Sequence, residues 1–397
     1  MTTTLPSGPR SHRRLIAALL AVAVLLGGGV AWAIARPGHS GTPTPPAVVL
    51  DPVLETVGTT IGKVPWDKPL GLTVRNGSLR TVSVTDPDGL PFPGEVTDQG
   101  WSSAADHLLP SSTYTVLAIV ADSEGHTRSV PLTAHTTPPA RTLRVVLSPG
   151  DGKVVGVGMP VIATLNQTIT SQADRAAIEA RLTVTAVPPV AGAWRWMSPS
   201  ELHYRGPDYW AAGSEITAAV DFKRLQLSGG TWGSGQGETH YSIGRKLIAT
   251  VDVTAHDMKV VQDGVLLRTV KVSTGRDKYP TKGGVHLVLE KTKLKIMDSA
   301  TVGIPRKSPD GYYEKVPNSV RISYGGAFVH SADWSVRDQG VRNVSHGCVN
   351  ISPADAAWFF DLVKRGDVVD IIHANAPPKL SDPGMSDWNI PFAEWPS

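Results

Sequence analysis

The chain has 397 residues, enough for two or three domains, and its net charge of +3 is small for that length. No basic cluster is interleaved with aromatic residues, so no nucleic-acid partner is predicted. Only 18% of the residues are charged, whereas glycine and proline number 39 and 32. This composition favours short strands and tight turns over long helices, and a hydrophobic share of 41% argues against wholesale disorder.

The N-terminus predicts a membrane segment. Residues 1–14 contain three arginines and no acidic residue, and residues 15–35 are an uncharged apolar run. As a helix the run would be about 31 Å long, close to the thickness of a bilayer core. Ala31-Trp32-Ala33 is similar to a signal-peptidase site, but the run is longer than a usual signal core, so we favour an uncleaved anchor over a cleaved signal. Under either interpretation residues 1–14 stay cytoplasmic and the remaining chain is extracytoplasmic.

Residues 36–47 predict a Pro/Gly/Thr stalk, and residues 48–139 predict a first β-sandwich module, A. Leu79–Thr85 and Tyr114–Val120 alternate like strands and end at turn residues. Pro138-Pro139 marks the end of this module.

Residues 140–244 repeat the plan loosely and predict a second immunoglobulin-like module, B. The order of Trp101 and Tyr114 in the first module is loosely repeated by Trp194 and Tyr209 in the second. A predicted strand follows each pair. Both modules are expected to be spacers, with ligand binding as the alternative.

Residues 245–373 predict a third, β-rich domain with one capped helix. Alternation begins at Leu247, and Gln262-Asp263-Gly264 predicts a hairpin turn. Ser352-Pro353 starts the helix, Gly366 ends it, and Val368–Ile372 follows as a buried strand. The Trp-rich tail, residues 374–397, is too apolar to float and is expected to lie against the body.

Cys348 is the only cysteine of the chain. An exported protein usually contains cysteines in disulfide-forming pairs, so this thiol is either a small buried hydrophobe or a reactive group. His346 lies two residues before it and His330 eighteen, and either imidazole would stabilise a nucleophilic thiolate. Gly347 permits a tight backbone with free amides, as an oxyanion site requires. A zinc site made of the two histidines and the thiol is a third alternative, but it lacks a fourth ligand, so no metal and no cofactor is predicted.

The sequence Ser345-His346-Gly347-Cys348-Val349-Asn350, with Phe328-Val329-His330-Ser331 upstream, resembles the signature of L,D-transpeptidases of the YkuD type. Residues 273–275 and 280–284 are similar to the family's early strand and turn. Gly156–Pro160 and Asp387–Pro391 resemble the mycobacterial and related actinobacterial branch, which has an anchor, two immunoglobulin-like modules, the catalytic domain and a C-terminal subdomain. The predicted fold is therefore mainly β, with two tandem immunoglobulin-like sandwiches before a YkuD domain.

The resemblance implies a role for each matching residue. Cys348 would be the nucleophile and His330 its base and acid, oriented by the Ser331 carbonyl, while His346 would be a supporting residue. The amides of Gly347 and Cys348, with the Tyr312 hydroxyl, would hold the oxyanion. The residues that match substrate-pocket positions are Met297, Tyr312, Trp334, Ser345 and Asn350. The stretch 330–345 would form a flap, which is unusually charged here.

The implied activity is peptidoglycan crosslinking in wall biogenesis. The thiol would take a stem tetrapeptide as donor, release D-alanine and pass the acyl group to an amine of a second stem, giving a 3→3 crosslink. Carbapenem β-lactams would be covalent inhibitors. The alternatives are a carboxypeptidase, an enzyme that attaches proteins to the wall, and a wall-binding adaptor with a silent site.

Overall fold

The computed structural model describes residues 53–56, 63–97 and 100–396, and this part is mainly β. The predicted stalk and the membrane segment 15–35 lie outside the described residues, so both stay predictions. Among the described residues, no helix has the length and apolar character needed to cross a bilayer.

The first module is a sandwich of two four-stranded sheets, in the orders β1-β3-β6-β5 and β2-β8-β7-β4. Alternate residues of β7, from Tyr114 to Val120, are buried between the sheets, as the alternation predicted. Its strands are β1 Val53–Thr56, β2 Lys63–Val64, β3 Gly71–Arg75, β4 Ser78–Thr85, β5 Gly94–Thr97, β6 Gly100–Ser103, β7 Thr113–Ala121 and β8 Thr127–Thr136.

The second module has two four-stranded sheets, β10-β12-β15-β14 and β11-β19-β16-β13, and a small sheet β17-β18-β9. Its one α-helix, α1 (Gln172–Glu179), begins at Ser171, whose hydroxyl accepts from the Asp174 amide at 3.3 Å. The strands are β9 Arg141–Leu143, β10 Val145–Ser148, β11 Val154–Val155, β12 Val161–Leu165, β13 Leu182–Val187, β14 Ala193–Ser198, β15 Glu201–Arg205, β16 Glu215–Asp221, β17 Gln226–Leu227, β18 Thr231–Gly233 and β19 Gln236–Ile243.

The third domain has a five-stranded sheet, β22-β21-β20-β28-β23, and a four-stranded sheet, β24-β25-β26-β27. The predicted hairpin turn is present, because Asp263 and Gly264 have φ of 49° and 85° as a type I′ turn requires. The strands are β20 Leu247–Asp252, β21 Asp257–Gln262, β22 Val265–Lys271, β23 Gly284–Leu287, β24 Glu290–Asp298, β25 Tyr313–Arg321, β26 Phe328–Ser331, β27 Val349–Ile351 and β28 Val368–Ile372.

The predicted helix of this domain is present as α2 (Pro353–Leu362), but its predicted end is wrong. Ser352 caps it by accepting from the Asp355 amide at 3.1 Å. The helix ends at Leu362, where Val363 takes an extended conformation, and not at Gly366. The Asp367 carboxylate accepts a hydrogen bond from the Lys364 amide at 2.7 Å. This hydrogen bond stabilises the turn between α2 and β28, so the helix ends before Gly366.

The tail lies against the second module and surrounds a buried arginine of that module. Its helix, α3, spans Pro383–Asn389. Arg205 is 2% exposed; its guanidinium lies 4.2 Å from the Trp395 ring centre and donates to the Ile390 carbonyl at 2.6 Å. Trp388 donates to the Gly158 carbonyl at 2.8 Å. Ring stacking and the carbonyl acceptors offset part of the cost of burying this cation. The rest of the cost is visible in two ways: desolvation lowers the pKa of Arg205 to about 10, and its Nε has no partner among the described residues.

Replacing Arg205 by methionine should therefore destabilise the protein. The change leaves buried carbonyls without donors, and we expect a loss of about 2–4 kcal/mol in the free energy of unfolding. Chemical denaturation followed by tryptophan fluorescence measures it. Arg144→Met, at an exposed position of the same module, is the control and should change stability by less than about 0.5 kcal/mol. Equal stability of the two variants would contradict this account.

Candidate active site

Strand pairing brings the predicted nucleophile and base together. β26 and β27 are parallel neighbours, with His330 opposite Asn350 and Val329 opposite Val349. Cys348 immediately precedes β27, so the seventeen residues between the two strands form a loop whose ends meet. Both Cys348 and His330 consequently line one cavity.

The loop that contains Cys348 has a backbone only glycine adopts easily. Gly347 has φ of +113°, and the segment is tied down on both sides. Ser345 donates from its hydroxyl to the Cys348 carbonyl at 2.7 Å, and Thr281 donates to the Gly347 carbonyl at 3.0 Å. The Ser345 amide donates to the Thr274 carbonyl at 2.9 Å. The early strand and turn noted in the sequence therefore support the cysteine loop.

The prediction that the Gly347 amide is free to bind an oxyanion is wrong. The Gly347 amide donates to the Ser345 hydroxyl at 3.1 Å, so it is already occupied. The Cys348 amide, in contrast, finds no acceptor in the described part of the chain. The Tyr312 hydroxyl borders the same cavity. These two groups are the donors left for a developing oxyanion.

The orientation of His330 follows from one hydrogen bond. Its Nδ1 lies 2.8 Å from the Ser331 carbonyl oxygen. A carbonyl only accepts, so Nδ1 carries the proton and Nε2 keeps a lone pair. The ring is 3% exposed and lies 6.0 Å, between ring centres, from Trp334. The imidazole is thus held as a base with one available nitrogen.

Desolvation favours the uncharged form of both partners, whereas the sequence predicted a thiolate. It raises the pKa of Cys348 to about 11, against a smaller opposing effect of a hydrogen bond from the Phe328 backbone. It also lowers the pKa of His330 to about 4, against the opposing Ser331 carbonyl. The thiol hydrogen is directed to the Gly326 carbonyl, with Sγ 3.8 Å from the oxygen. At neutral pH the resting pair is therefore thiol and neutral imidazole.

His346 is held in a supporting position. Its Nε2 lies 2.9 Å from Nη2 of Arg276, and since a guanidinium only donates, Nε2 is an acceptor. Burial and the Arg276 charge lower the pKa of His346. The Tyr279 and Tyr312 rings each lie 5.0 Å from it. A metal ion at Nε2 would face the Arg276 cation. Among the described residues, no cluster of three or more His, Cys, Asp or Glu side chains has a geometry that could hold a metal ion.

Cys348 lies between two cavities. One, of about 250 Å³, contains all five residues expected to contact substrate together with His330. The other, of about 310 Å³, extends towards Lys282 and Lys379. Both cavities share three residues, Tyr312, His346 and Cys348. The five residues expected to contact substrate are Met297, Tyr312, Trp334, Ser345 and Asn350.

Two hydrogen bonds of buried side chains hold the flap, residues 330–345, in place. Asn350 donates to the Ser335 hydroxyl at 3.1 Å, and the buried Gln339 donates to the Ala332 carbonyl at 3.0 Å. Part of the flap's charge is paired within the flap itself, because Arg342 forms an ion pair with Asp338 at 2.5 Å. Asn350 therefore anchors the flap as well as lining the cavity.

Comparison with known proteins agrees with this geometry. Residues 246–371 match the L,D-transpeptidase catalytic domain, and residues 62–226 match a bacterial Ig domain. The chain is 36% identical to L,D-transpeptidase 2 of Mycobacterium tuberculosis over 394 residues, which cover 97% of this chain and 95% of that protein. The chain belongs to the L,D-transpeptidase family. The predicted fold class, Ig-like sandwiches before a YkuD domain, is confirmed.

Two solved transpeptidases are similar in structure. L,D-transpeptidase LdtMt1 in complex with imipenem is 33% identical with a TM-score of 0.52, covering 59% of this chain and 100% of that one. L,D-transpeptidase 3 from M. tuberculosis, in complex with a faropenem-derived adduct, is 33% identical with a TM-score of 0.50, covering 57% and 97%.

Several residues of the transpeptidase site were missed from the sequence. Arg276 follows the predicted strand end, yet its ion pair with Asp310 joins segments 34 residues apart. The Lys278 ammonium forms a second ion pair with the Asp310 carboxylate, at 2.5 Å. Glu314 lies on the wall of the first cavity. No sequence signal indicated these contacts, because they depend on which distant segments pack together.

The neutral thiol predicts a steep pH dependence for alkylation of the free enzyme. Iodoacetamide reacts with thiolate, so the labelling rate of Cys348 should rise about tenfold per pH unit from pH 7 to 10 and continue towards pH 11. Mass spectrometry of the intact protein measures the rate, and Cys348→Ala is the blank since no other thiol exists. A rate that is flat between pH 6 and 8 would instead indicate a thiolate–imidazolium pair.

Proposed function

We propose that this enzyme forms 3→3 crosslinks in peptidoglycan through a thioester on Cys348. The donor is a stem tetrapeptide, which loses its terminal D-alanine, and the acceptor is a side-chain amine of a neighbouring stem. The observation that supports this most is the shared cavity of Cys348 and His330, with the lone pair of His330 at Nε2.

The first half-reaction follows from the neutral pair. As Sγ attacks the donor carbonyl, its proton passes to Nε2 of His330, so charge develops only in the transition state. The Cys348 amide and the Tyr312 hydroxyl stabilise the oxyanion. The imidazolium then donates its proton to the departing amine. One C–N bond is broken, one C–S bond is formed, and free D-alanine leaves.

The second half-reaction reverses these roles. The acceptor amine gives a proton to Nε2 as it attacks the thioester, and the thiol takes the proton back when the C–S bond breaks. The energy of the cleaved amide is kept in the thioester, so no nucleotide is needed. Water competes with the amine, and positioning of the acceptor in the cavity must supply the selectivity.

We also propose that the enzyme acts at the extracytoplasmic face of the bacterial membrane, held by residues 15–35 as an anchor. The arginine-rich residues 1–14 and the apolar run support this orientation. The modules of 48–139 and 140–244 would then raise the domain of 245–373 towards the wall as spacers.

Imipenem should acylate the purified protein once, at Cys348. The strained lactam carbonyl takes the place of the donor carbonyl, and the ring opens without a leaving group, so the mass increases by that of the intact drug. His330→Gln should slow the reaction at least about a hundredfold, because the base is lost. Intact-protein mass spectrometry reads both results.

Two variants control this measurement. His135→Gln, at an exposed position of the first module, should react like the wild type, and Cys348→Ala should form no adduct. A full-strength adduct on Cys348→Ala would refute the assignment of the nucleophile.

Purified stem tetrapeptides distinguish the reaction class. We expect a dimer of tetrapeptide donor and acceptor with a 3→3 linkage, one D-alanine released per donor, and neither product with Cys348→Ala. Liquid chromatography with tandem mass spectrometry identifies the linkage. If the tetrapeptide is converted to tripeptide and no dimer forms, the enzyme is a carboxypeptidase. If the tetrapeptide is not converted while imipenem still acylates Cys348, attachment of proteins to the wall is favoured.

A further inference from the structure

A group of charged side chains beside the cysteine loop takes no part in the proton transfers of the proposed reaction. The Asp310 carboxylate accepts from three donors: Nη2 of Arg276, Nζ of Lys278 at 2.5 Å and the Tyr279 hydroxyl at 3.1 Å. Neither Asp310 nor Arg276 borders either of the cavities that meet at Cys348. Any effect of this group on the reaction must therefore pass through other residues.

Arg276 links this carboxylate to the cysteine loop. Its backbone amide donates to the Ser345 carbonyl at 3.1 Å, and its Nη1 donates to the Val344 carbonyl at 3.3 Å. Its Nη2, which also contacts Asp310, donates to Nε2 of His346 at 2.9 Å. Three successive residues of the loop are thus held by Arg276, and Asp310 orients its guanidinium.

The His346 ring transmits this constraint to Tyr312. The hydrogen bond at Nε2 fixes the rotation of the imidazole, and the Asp310 backbone is a second hydrogen-bonding partner of the ring. The ring centre of Tyr312 lies 5.0 Å from that of His346. The Tyr279 ring, whose hydroxyl is held by Asp310, also lies 5.0 Å from the imidazole. An imidazole held in this way offers Tyr312 a fixed surface to pack against.

The Tyr312 hydroxyl is positioned only through its ring and its backbone. It makes no hydrogen bond within the described part of the chain, which leaves it free to donate to an oxyanion. The Tyr312 amide donates to the Ser299 hydroxyl at 3.0 Å, and the Tyr312 carbonyl accepts from the Ser299 amide at 3.0 Å. Gly311 lies between Asp310 and Tyr312, and a Cβ there would lie 2.2 Å from the Arg306 carbonyl oxygen. This turn is therefore tight, and a displacement of Asp310 is transmitted to Tyr312.

We propose that Asp310 is a positioning residue for the oxyanion site. Through the guanidinium of Arg276 and the adjoining turn, it holds the Tyr312 hydroxyl at the place where the oxyanion forms. This inference rests on the proposed function and adds to it a residue that touches neither the sulfur nor the substrate. A donor that is already in place needs no reorganisation at the moment of attack, and this is how Asp310 affects the rate.

Asp310→Ala should slow acylation by imipenem without weakening the binding of the drug. With three donors released, the Tyr312 hydroxyl loses its fixed position. We expect the first-order acylation rate at saturating drug to fall about tenfold, less than the loss of about a hundredfold or more when an oxyanion donor is removed outright. The drug concentration that gives half of the maximal rate should change by less than about twofold. Stopped-flow absorbance, which follows opening of the lactam ring, measures both quantities.

A double-variant cycle identifies the residue through which Asp310 acts. Tyr312→Phe removes the hydroxyl, so in that background Asp310→Ala should slow acylation by less than about a further twofold. Asp277→Ala is the matched control, because it removes an exposed carboxylate of the same loop that borders neither cavity. This variant should be acylated at the wild-type rate.

Alkylation by iodoacetamide distinguishes positioning from damage to the cysteine loop. The thiolate displaces iodide from a saturated carbon, so no oxyanion forms in this reaction. Asp310→Ala should therefore be labelled at Cys348 within about twofold of the wild-type rate at pH 9. A disrupted loop would change the burial of the thiol, and with it the alkylation rate.

The outcomes separate the two proposals. Three results would overturn the positioning role: an unchanged acylation rate in Asp310→Ala, an equally large loss in the Tyr312→Phe background, or parallel changes in acylation and alkylation. In each case, formation of the stem dimer by the wild type would leave the transpeptidase reaction intact. A folded wild-type protein that imipenem does not acylate would overturn both proposals.

Discussion

The parallel pairing of Phe328–Ser331 with Val349–Ile351 is the constraint on which the active site depends. Parallel neighbours need a long connection, and here that connection is the flap together with the cysteine loop. The strand ends place an imidazole and a thiol at the same edge of the sheet. The hydroxyls of Ser345 and Thr281 hold the cysteine end of that connection by donating to the carbonyls of Cys348 and Gly347.

Burial determines how this pair can react. A thiolate beside an imidazolium would be reactive at rest, but it would also be more easily oxidised. Here desolvation favours the neutral form of both groups, with the pKa of the thiol near 11 and that of the imidazole near 4. In the reaction proposed above, proton transfer would be coupled to attack on a bound carbonyl, and the Cys348 amide and Tyr312 would stabilise the new charge. Reactivity would then depend on the presence of substrate.

The C-terminal tail joins parts of the protein that the strand order alone would leave separate. Its tryptophans enclose Arg205 of the second module, and its earlier residues bring Lys379 to the cavity behind Cys348. The same short segment therefore contributes to stability at one end and to the charge of the site at the other. Glu314 borders the cavity that contains His330, whereas Lys282 and Lys379 border the other.

Local patterns in the sequence were sufficient for the strands, the Asp263-Gly264 turn and the Ser352 cap, because alternation, left-handed turn residues and capping hydroxyls act over a few residues. The motif around Cys348 was likewise sufficient for the family. The sequence did not reveal the end of α2, which Asp367 decides, or the occupied Gly347 amide. Nor did it reveal the neutral thiol, since desolvation depends on what covers the sulfur. Arg276 with Asp310, and Lys282 with Lys379, are distant along the chain, and only tertiary packing decides which charges meet at the cysteine.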